Sequence, residues 1–190
     1  MAVFELIIIS FSAIFLLLLY KIDKLILKKY VITFIGVLIF EYFTQALWTN
    51  QHLEPWAYLY LDVSWVMTLA WTTLIAVSRA VVEAYLPQLQ ECGRFLLSLV
   101  IIAFIGILIE ATVLHLGFRA YSSAVIESLS GLTMFTIAPI ELLYYIPVFS
   151  ALVLAFSRYW EINLFGTALS PASASEDAKP SRSKAKGRKK

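Results

Sequence analysis

Five apolar runs, each close to twenty residues long, make up most of this chain. About twenty helical residues span the roughly 30 Å hydrocarbon layer of a bilayer. A backbone with no water around it must satisfy its own hydrogen bonds, which a helix does within itself. The runs therefore predict an all-α, polytopic integral membrane bundle of about five transmembrane helices. They extend from Val3 to Tyr20, from about Tyr30 to Trp48, from about Tyr58 to Val77, from Phe95 to about Leu116, and from about Phe135 to Tyr159. Composition agrees: 61% of the 190 residues are hydrophobic and 15% charged, against roughly half and a quarter in soluble domains. The first run lacks a basic leader and a small-residue cleavage site. It is followed by Lys21, Lys24, Lys28 and Lys29, so it reads as a spanning helix and not a signal peptide.

Charge predicts the orientation. The first loop carries those four lysines. The second, Thr49 to Ala57, holds Glu54, Asn50, His52 and Pro55 but no Lys or Arg. The third, Ser78 to Arg94, holds Arg79 and Arg94, and the fourth, Gly117 to Gly131, only Arg119. Arg158 and a basic tail follow the fifth run. Basic and non-basic sides alternate at each crossing, which places the N-terminus outside and the C-terminus in the cytoplasm. The expected location is a multi-pass position in the cytoplasmic membrane of a prokaryote or an endomembrane of a eukaryote.

The net charge of +2 averages two unlike regions: residues 171–190 hold seven of the fifteen Lys and Arg. Two parts follow, a helical domain over 1–169 and a disordered basic cytoplasmic tail over 170–190, too polar to build a core. The tail suits anionic lipid heads, at roughly 1 kcal/mol per basic residue near the surface, better than nucleic acid. The single cysteine, Cys92, excludes an internal disulfide.

Ionisable groups inside spans cost roughly 2.5–3.5 kcal/mol on insertion scales and mark candidate sites. Glu41, Asp62, Glu110 and Glu141 lie on the second, third, fourth and fifth runs. Counting at 1.5 Å per residue puts all four roughly 6–10 Å below the outer boundary, with no Lys or Arg expected at that depth. Glu41, Thr44, Gln45 and Trp48 share one helical face by spacing. So do Asp62, Trp65, Leu69 and Thr72, and Glu141, Tyr144 and Tyr145. Trp48, Trp65, Trp71, Tyr144, Tyr145 and His115 are the candidate substrate-facing or cation-stabilising groups. A desolvated, crowded set of carboxyls retains a proton, and aromatic faces stabilise a cation. Acid, aromatic wall and base suit proton-initiated chemistry on an alkene. The expected substrate is a lipid-soluble isoprenoid entering from the bilayer, with no metal and no cofactor.

The segment Pro139-Ile140-Glu141-Leu142-Leu143-Tyr144-Tyr145 resembles the Pro-x-Glu-Glu-x-x-Phe motif of the membrane lycopene cyclases of bacteria, archaea and fungi. Glu141 matches the first acid and Leu142 replaces the second. The stretch Glu110 to Tyr121, with Gly117 between, is similar to membrane carotenoid hydratases. The resemblance implies cyclisation or hydration of a carotenoid-like isoprenoid, with Glu141 and Glu110 serving catalysis. Two other classes fit the same acids: a transporter or proton-conducting subunit, and a non-catalytic membrane partner, assembly protein or homo-oligomer. Against transport stand the lack of an inverted repeat and the few breakers, Pro139 and Pro147 chief among them. His52, Asp62, Glu110, His115 and Glu141 are suitable metal donors, but no ligand spacing supports an ion. No phosphate-binding glycine loop or nucleophile motif points to a kinase, nucleotidase or serine hydrolase.

Overall fold

A computed structural model describes residues 2–135 and 138–166 of the chain. It contains five helices long and apolar enough to cross a membrane. They are α1 (Ala2–Ile22), α2 (Ile26–Thr44), α3 (Trp65–Tyr85), α4 (Glu91–His115) and α6 (Leu142–Phe165), with a short α5 (Ser123–Ser128) between the last two. The expected tail at 170–190 lies outside the described residues.

Helices α2, α3, α4 and α6 pack in a ring, each against two neighbours, and α1 leans on α3 from outside. Val37, Ile75, Ile102, Ile146 and Val153, all nearly inaccessible, fill the ring's middle. Glycine brings the helices close. A Cβ on Gly36 of α2 would lie 2.8 Å from the Phe156 ring, and one on Gly106 of α4 would lie 2.9 Å from Trp71. Small residues at such contacts are the usual means of close helix approach in membranes. The outward faces are apolar, with Phe11, Leu17, Phe104 and Val148 all more than half exposed. A water-soluble monomer rarely exposes so continuous an apolar surface.

One end of the ring carries three two-stranded ladders. Strand β1 (Trp48–Asn50) pairs antiparallel with β4 (Arg119–Tyr121), β2 (Tyr58–Tyr60) with β3 (Val63–Ser64), and β5 (Thr133–Met134) with β6 (Ala138–Pro139). These ladders correct two expected boundaries. The third helix starts at Trp65, not Tyr58, because Leu61 adopts φ +46° in a tight hairpin and Ser64 caps the helix, its Oγ accepting from Met67 N. The fifth starts at Leu142, not Phe135, because Phe135 adopts φ +52° in the turn between β5 and β6. Asp62 and Glu141 therefore lie outside the long helices. The second helix is also shifted, beginning at Ile26 and giving way at Gln45 to a 3₁₀ turn, so Trp48 sits on a strand.

Candidate functional site

The site is built by a chain reversal. Helix α4 stops where Gly117 adopts φ +75°, with Phe118 N donating to Val113 O at 3.1 Å. Glycine takes this left-handed position without steric cost and closes the helix end. The chain then returns as β4 and pairs with β1, setting Asn50 opposite Arg119. This turns Arg119 back under the helix end towards the last turns of α4.

There Arg119 Nη1 donates to both oxygens of Glu110, at 3.1 and 3.2 Å. Its Nε donates to Asn50 Oδ1 at 3.1 Å. Its Nη2 lies 3.7 Å from Glu41 Oε1, and neither of these two buried atoms has a hydrogen-bond partner. Glu41 Oε2 is 2.5 Å from Thr68 Oγ1, which is itself 3.0 Å from the Ser64 carbonyl. Glu41, Glu110 and Arg119 are all at most 5% exposed. Burial works against the Arg119 charge, but Glu110 and Glu41 outweigh it and hold the guanidinium above its ordinary value. Asn50 is fixed in turn: its Nδ2 donates to the Asp62 carbonyl at 2.5 Å, and its own carbonyl accepts from Tyr58 OH at 2.9 Å.

Aromatic rings wall the cluster. The Arg119 guanidinium lies 5.3 Å from the Trp48 ring, within cation–π range. Trp48 meets Tyr145 edge-on at 5.3 Å, and Trp71 meets Phe149 edge-on at 5.0 Å. Burial first, then Glu110, pushes the Tyr121 phenol above its ordinary value, so it remains a neutral hydroxyl.

The predicted acid layer is thus half assembled. Glu41 and Glu110 meet, with Trp48, Trp71 and Tyr145 around them. The expectation that no base lies at their depth is wrong: Arg119 is folded in from the fourth loop. Asp62 is corrected to the β2–β3 hairpin, where its backbone carbonyl, not its carboxyl, supports the cluster through Asn50. Glu141 stands at the start of α6, its Oε1 accepting from Ser130 N at 2.8 Å. That hydrogen bonding with Ser130 holds its carboxyl below the usual range, so it is ionised and committed locally. Trp65 packs on Trp56 and donates to its carbonyl. Tyr144 is 63% exposed, and His115 and His52 are exposed. Among the described residues no three His, Cys, Asp or Glu side chains converge as a metal site would require.

Sequence reasoning missed two further buried acids. Glu5 on α1 accepts from Glu54 N at 2.7 Å, and Glu161 on α6 is gripped by Arg79 at 2.6 and 2.8 Å. Both are fully buried. Each was visible as an acid in or beside an apolar run.

An apolar cleft of about 400 Å³ opens between α1, α3 and α4. Phe4, Phe11, Ile105 and Ile109 line it, and Glu110 and Trp71 border both the cleft and the acid cluster.

No family model, curated protein or solved structure matches this chain.

Proposed function

We propose that this chain is a multi-pass membrane enzyme that transfers a proton to an alkene of a lipid-soluble isoprenoid, in the manner of a carotenoid cyclase or hydratase. The observation that carries the reading is the sharing of Glu110 and Trp71 between the apolar cleft and the acid cluster. A hydrocarbon chain entering between α1 and α4 would bring its end to Glu110 and Trp71, the two groups that the cleft shares with the acid cluster.

Membrane placement rests on the five apolar helices and their outward faces. Lys21, Lys24 and Lys28 are exposed at one end of the ring, whereas Arg119 at the other is buried and paired. The positive-inside bias then orients that lysine-bearing end to the cytoplasm and the ladders outside.

The cluster has two carboxyls facing one guanidinium, so one retained proton makes it neutral in a dry interior. The oxygens around Thr68 support a reading in which Glu41 holds that proton. Thr68 Oγ1 has one hydrogen and two oxygen neighbours, Glu41 Oε2 and the Ser64 carbonyl. A carbonyl only accepts, so a protonated Glu41 donating to Thr68 would let Thr68 donate onward to Ser64, while Glu41 Oε1 and Arg119 Nη2 stay without a partner. Glu41 would give its proton to one alkene carbon, leaving a carbocation at the other. Trp71, Trp48 and Tyr145 would face that cation. In cyclisation a second alkene of the same chain forms the ring bond, and a proton lost from the product returns to Glu41. In hydration water adds and its extra proton returns to the same carboxylate. The resemblance of the stretch Glu110 to Tyr121 to the carotenoid hydratases supports the same chemistry, whereas Glu141 of the Pro139 to Tyr145 motif lies outside the cluster.

The test is a comparison by mass of lipid extracts from cells with and without the gene, with the Glu41→Gln variant as a third arm. A new product of unchanged mass, or of mass raised by one water, should appear with the native chain and vanish with the variant. Identical extracts from all three would end the enzyme reading.

One observation favours a second reading. The fork of Arg119 on Glu110, tied to Asn50, is also how a structural clasp would be built, and it suits a non-catalytic membrane partner. Transport is less well served, because Val37, Ile75, Ile102 and Val153 fill the middle of the ring between its two polar ends.

A further inference from the structure

The end of the ring remote from the acid cluster holds a second polar assembly. Lys29 of α2, Arg79 of α3, Arg94 of α4 and Arg158 of α6 line a cavity of about 110 Å³ together with Glu83 and Glu91. Most of these charges are spent on one another. Lys29 Nζ lies 2.7 Å from Asp23, Arg79 forks onto Glu161, and Arg158 pairs with Glu91. Two groups are left over. Arg94 has no carboxylate within ion-pairing distance among the described residues, and Glu83 reaches only Arg79 Nη2, at 3.5 Å. So the least committed cation and the least committed anion line the same cavity.

The four cations are matched by four acids, Asp23, Glu83, Glu91 and Glu161, which makes the assembly neutral as a whole. A purely anionic ligand would meet repelling carboxylates; one carrying both charges would meet a partner for each. The cavity also adjoins a crevice with one apolar wall and one polar wall, the latter including Asp23, Tyr30 and Thr33. Lys29, Arg79 and Glu83 border a second space of about 180 Å³ whose other walls include Leu19, Ile26 and Ala80. A free phosphate has no use for such a crevice, but an acyl chain does.

We propose that this end of the bundle binds one phospholipid whose headgroup carries a phosphodiester and a primary ammonium. The phosphodiester sits on Arg94, the ammonium on Glu83, and an acyl chain in the crevice between α1, α2 and α3. Guanidinium and ammonium groups are the usual donors to phosphate oxygens, and basic pockets between membrane helices are known lipid headgroup sites. A primary ammonium offers three hydrogens to a carboxylate, whereas a quaternary choline offers none. The inference rests on membrane placement and not on the proposed chemistry at Glu41.

The full chain would be reconstituted in nanodiscs holding equal amounts of phosphatidylethanolamine, phosphatidylglycerol and phosphatidylcholine, and the lipid retained on ejection read by native mass spectrometry. Phosphatidylethanolamine should be enriched several-fold over both others. Glu83→Gln should bring it down to the level of phosphatidylglycerol, and Arg94→Gln should remove the enrichment altogether. Both side chains are partly solvent-accessible at helix ends, and melting in detergent would verify that each variant folds. The basic tail is unchanged in these variants, so its own preference for anionic lipid cancels. Enrichment of phosphatidylglycerol instead, displacement of lipid by inorganic phosphate, or selectivity that neither variant alters would overturn the site. Failure of the chain to float with membranes would remove the placement itself, a result separate from loss of selectivity.

Discussion

Arg119 and Glu110 are nine residues apart, on opposite sides of a reversal at Gly117, yet the arginine fork closes on the carboxylate at 3.1 and 3.2 Å. The two acids of the cluster are therefore unequal. Glu110 neutralises a buried cation, while Glu41 touches that cation only at 3.7 Å and hydrogen-bonds Thr68.

Substitution should expose this inequality. Glu110→Gln takes the forked partner from Arg119 and leaves it only the 3.7 Å contact with Glu41, and breaking a buried pair this way costs up to about 3–5 kcal/mol. Glu41→Gln keeps the Arg119–Glu110 pair and the bond with Thr68, and interhelical hydrogen bonds of this kind average under about 1 kcal/mol. Thermal unfolding in detergent should show a large loss for the first and a small one for the second. Product formation should fall about 10²–10⁴-fold in Glu41→Gln although the protein is folded. Equal melting temperatures would refute the asymmetry.

Filling the cleft tests the entry route. Ile109 is 44% exposed and lines the apolar space beside Glu110. A Trp at position 109 should occupy that space, leave unfolding nearly unchanged and abolish turnover of a long-chain substrate. Undiminished turnover with Ile109→Trp would mean that substrate reaches the acids by another path.

Glu141 gives a pH prediction with a defined sign. Its folded pKa lies below the ordinary carboxylate value because it hydrogen-bonds with Ser130. A lowered carboxyl contributes stability above its unfolded pKa and loses it as pH falls through the folded value. Melting temperature should therefore drop on acidification below about 4.5, the ordinary value, and less steeply in Glu141→Gln. Superimposable acid limbs for the two proteins would show that the Ser130 contact contributes nothing.

Topology is measurable with the chain's own cysteine. Cys92 is exposed, in the first turn of α4 at the lysine-bearing end. An impermeant thiol reagent applied outside should spare Cys92 and, in a Cys92→Ser background, a cysteine placed at Ser181, while labelling one placed at Gln51. The opposite pattern would invert the orientation and put the acid cluster on the cytoplasmic side.

The long helices were legible because length and apolarity suffice to mark them. What escaped was short and tertiary. Ladders of two or three residues are too brief to show an alternating pattern, so Tyr58–Tyr60 and the residues around Phe135 read as parts of apolar runs. That reading carried Asp62 and Glu141 into the helices. Neither Leu61 nor Phe135 is a residue type that announces a positive φ. Gly117 was visible as a helix stop. The direction of the returning chain depends on β1–β4 pairing between segments some seventy residues apart, which one sequence does not disclose. Hence Arg119 was counted as a loop charge when it is the centre of the cluster. Of the candidate residues, Glu41, Glu110, Trp48, Trp71 and Tyr145 were each visible in or beside an apolar run, but helical spacing joined Tyr145 to Glu141 and left Trp71 in no stripe, so their grouping came from the tertiary structure.

Ring closure has a consequence for biogenesis. The contact between α2 and α6 joins the second long helix to the last, and 78 positions separate Glu41 from Arg119. At roughly 5–20 residues per second, Glu41 leaves the ribosome some 4–16 seconds before its guanidinium neighbour exists. Over that interval the nascent chain must shelter a solitary carboxyl, and the seam between α2 and α6 cannot seal until α6 has been made.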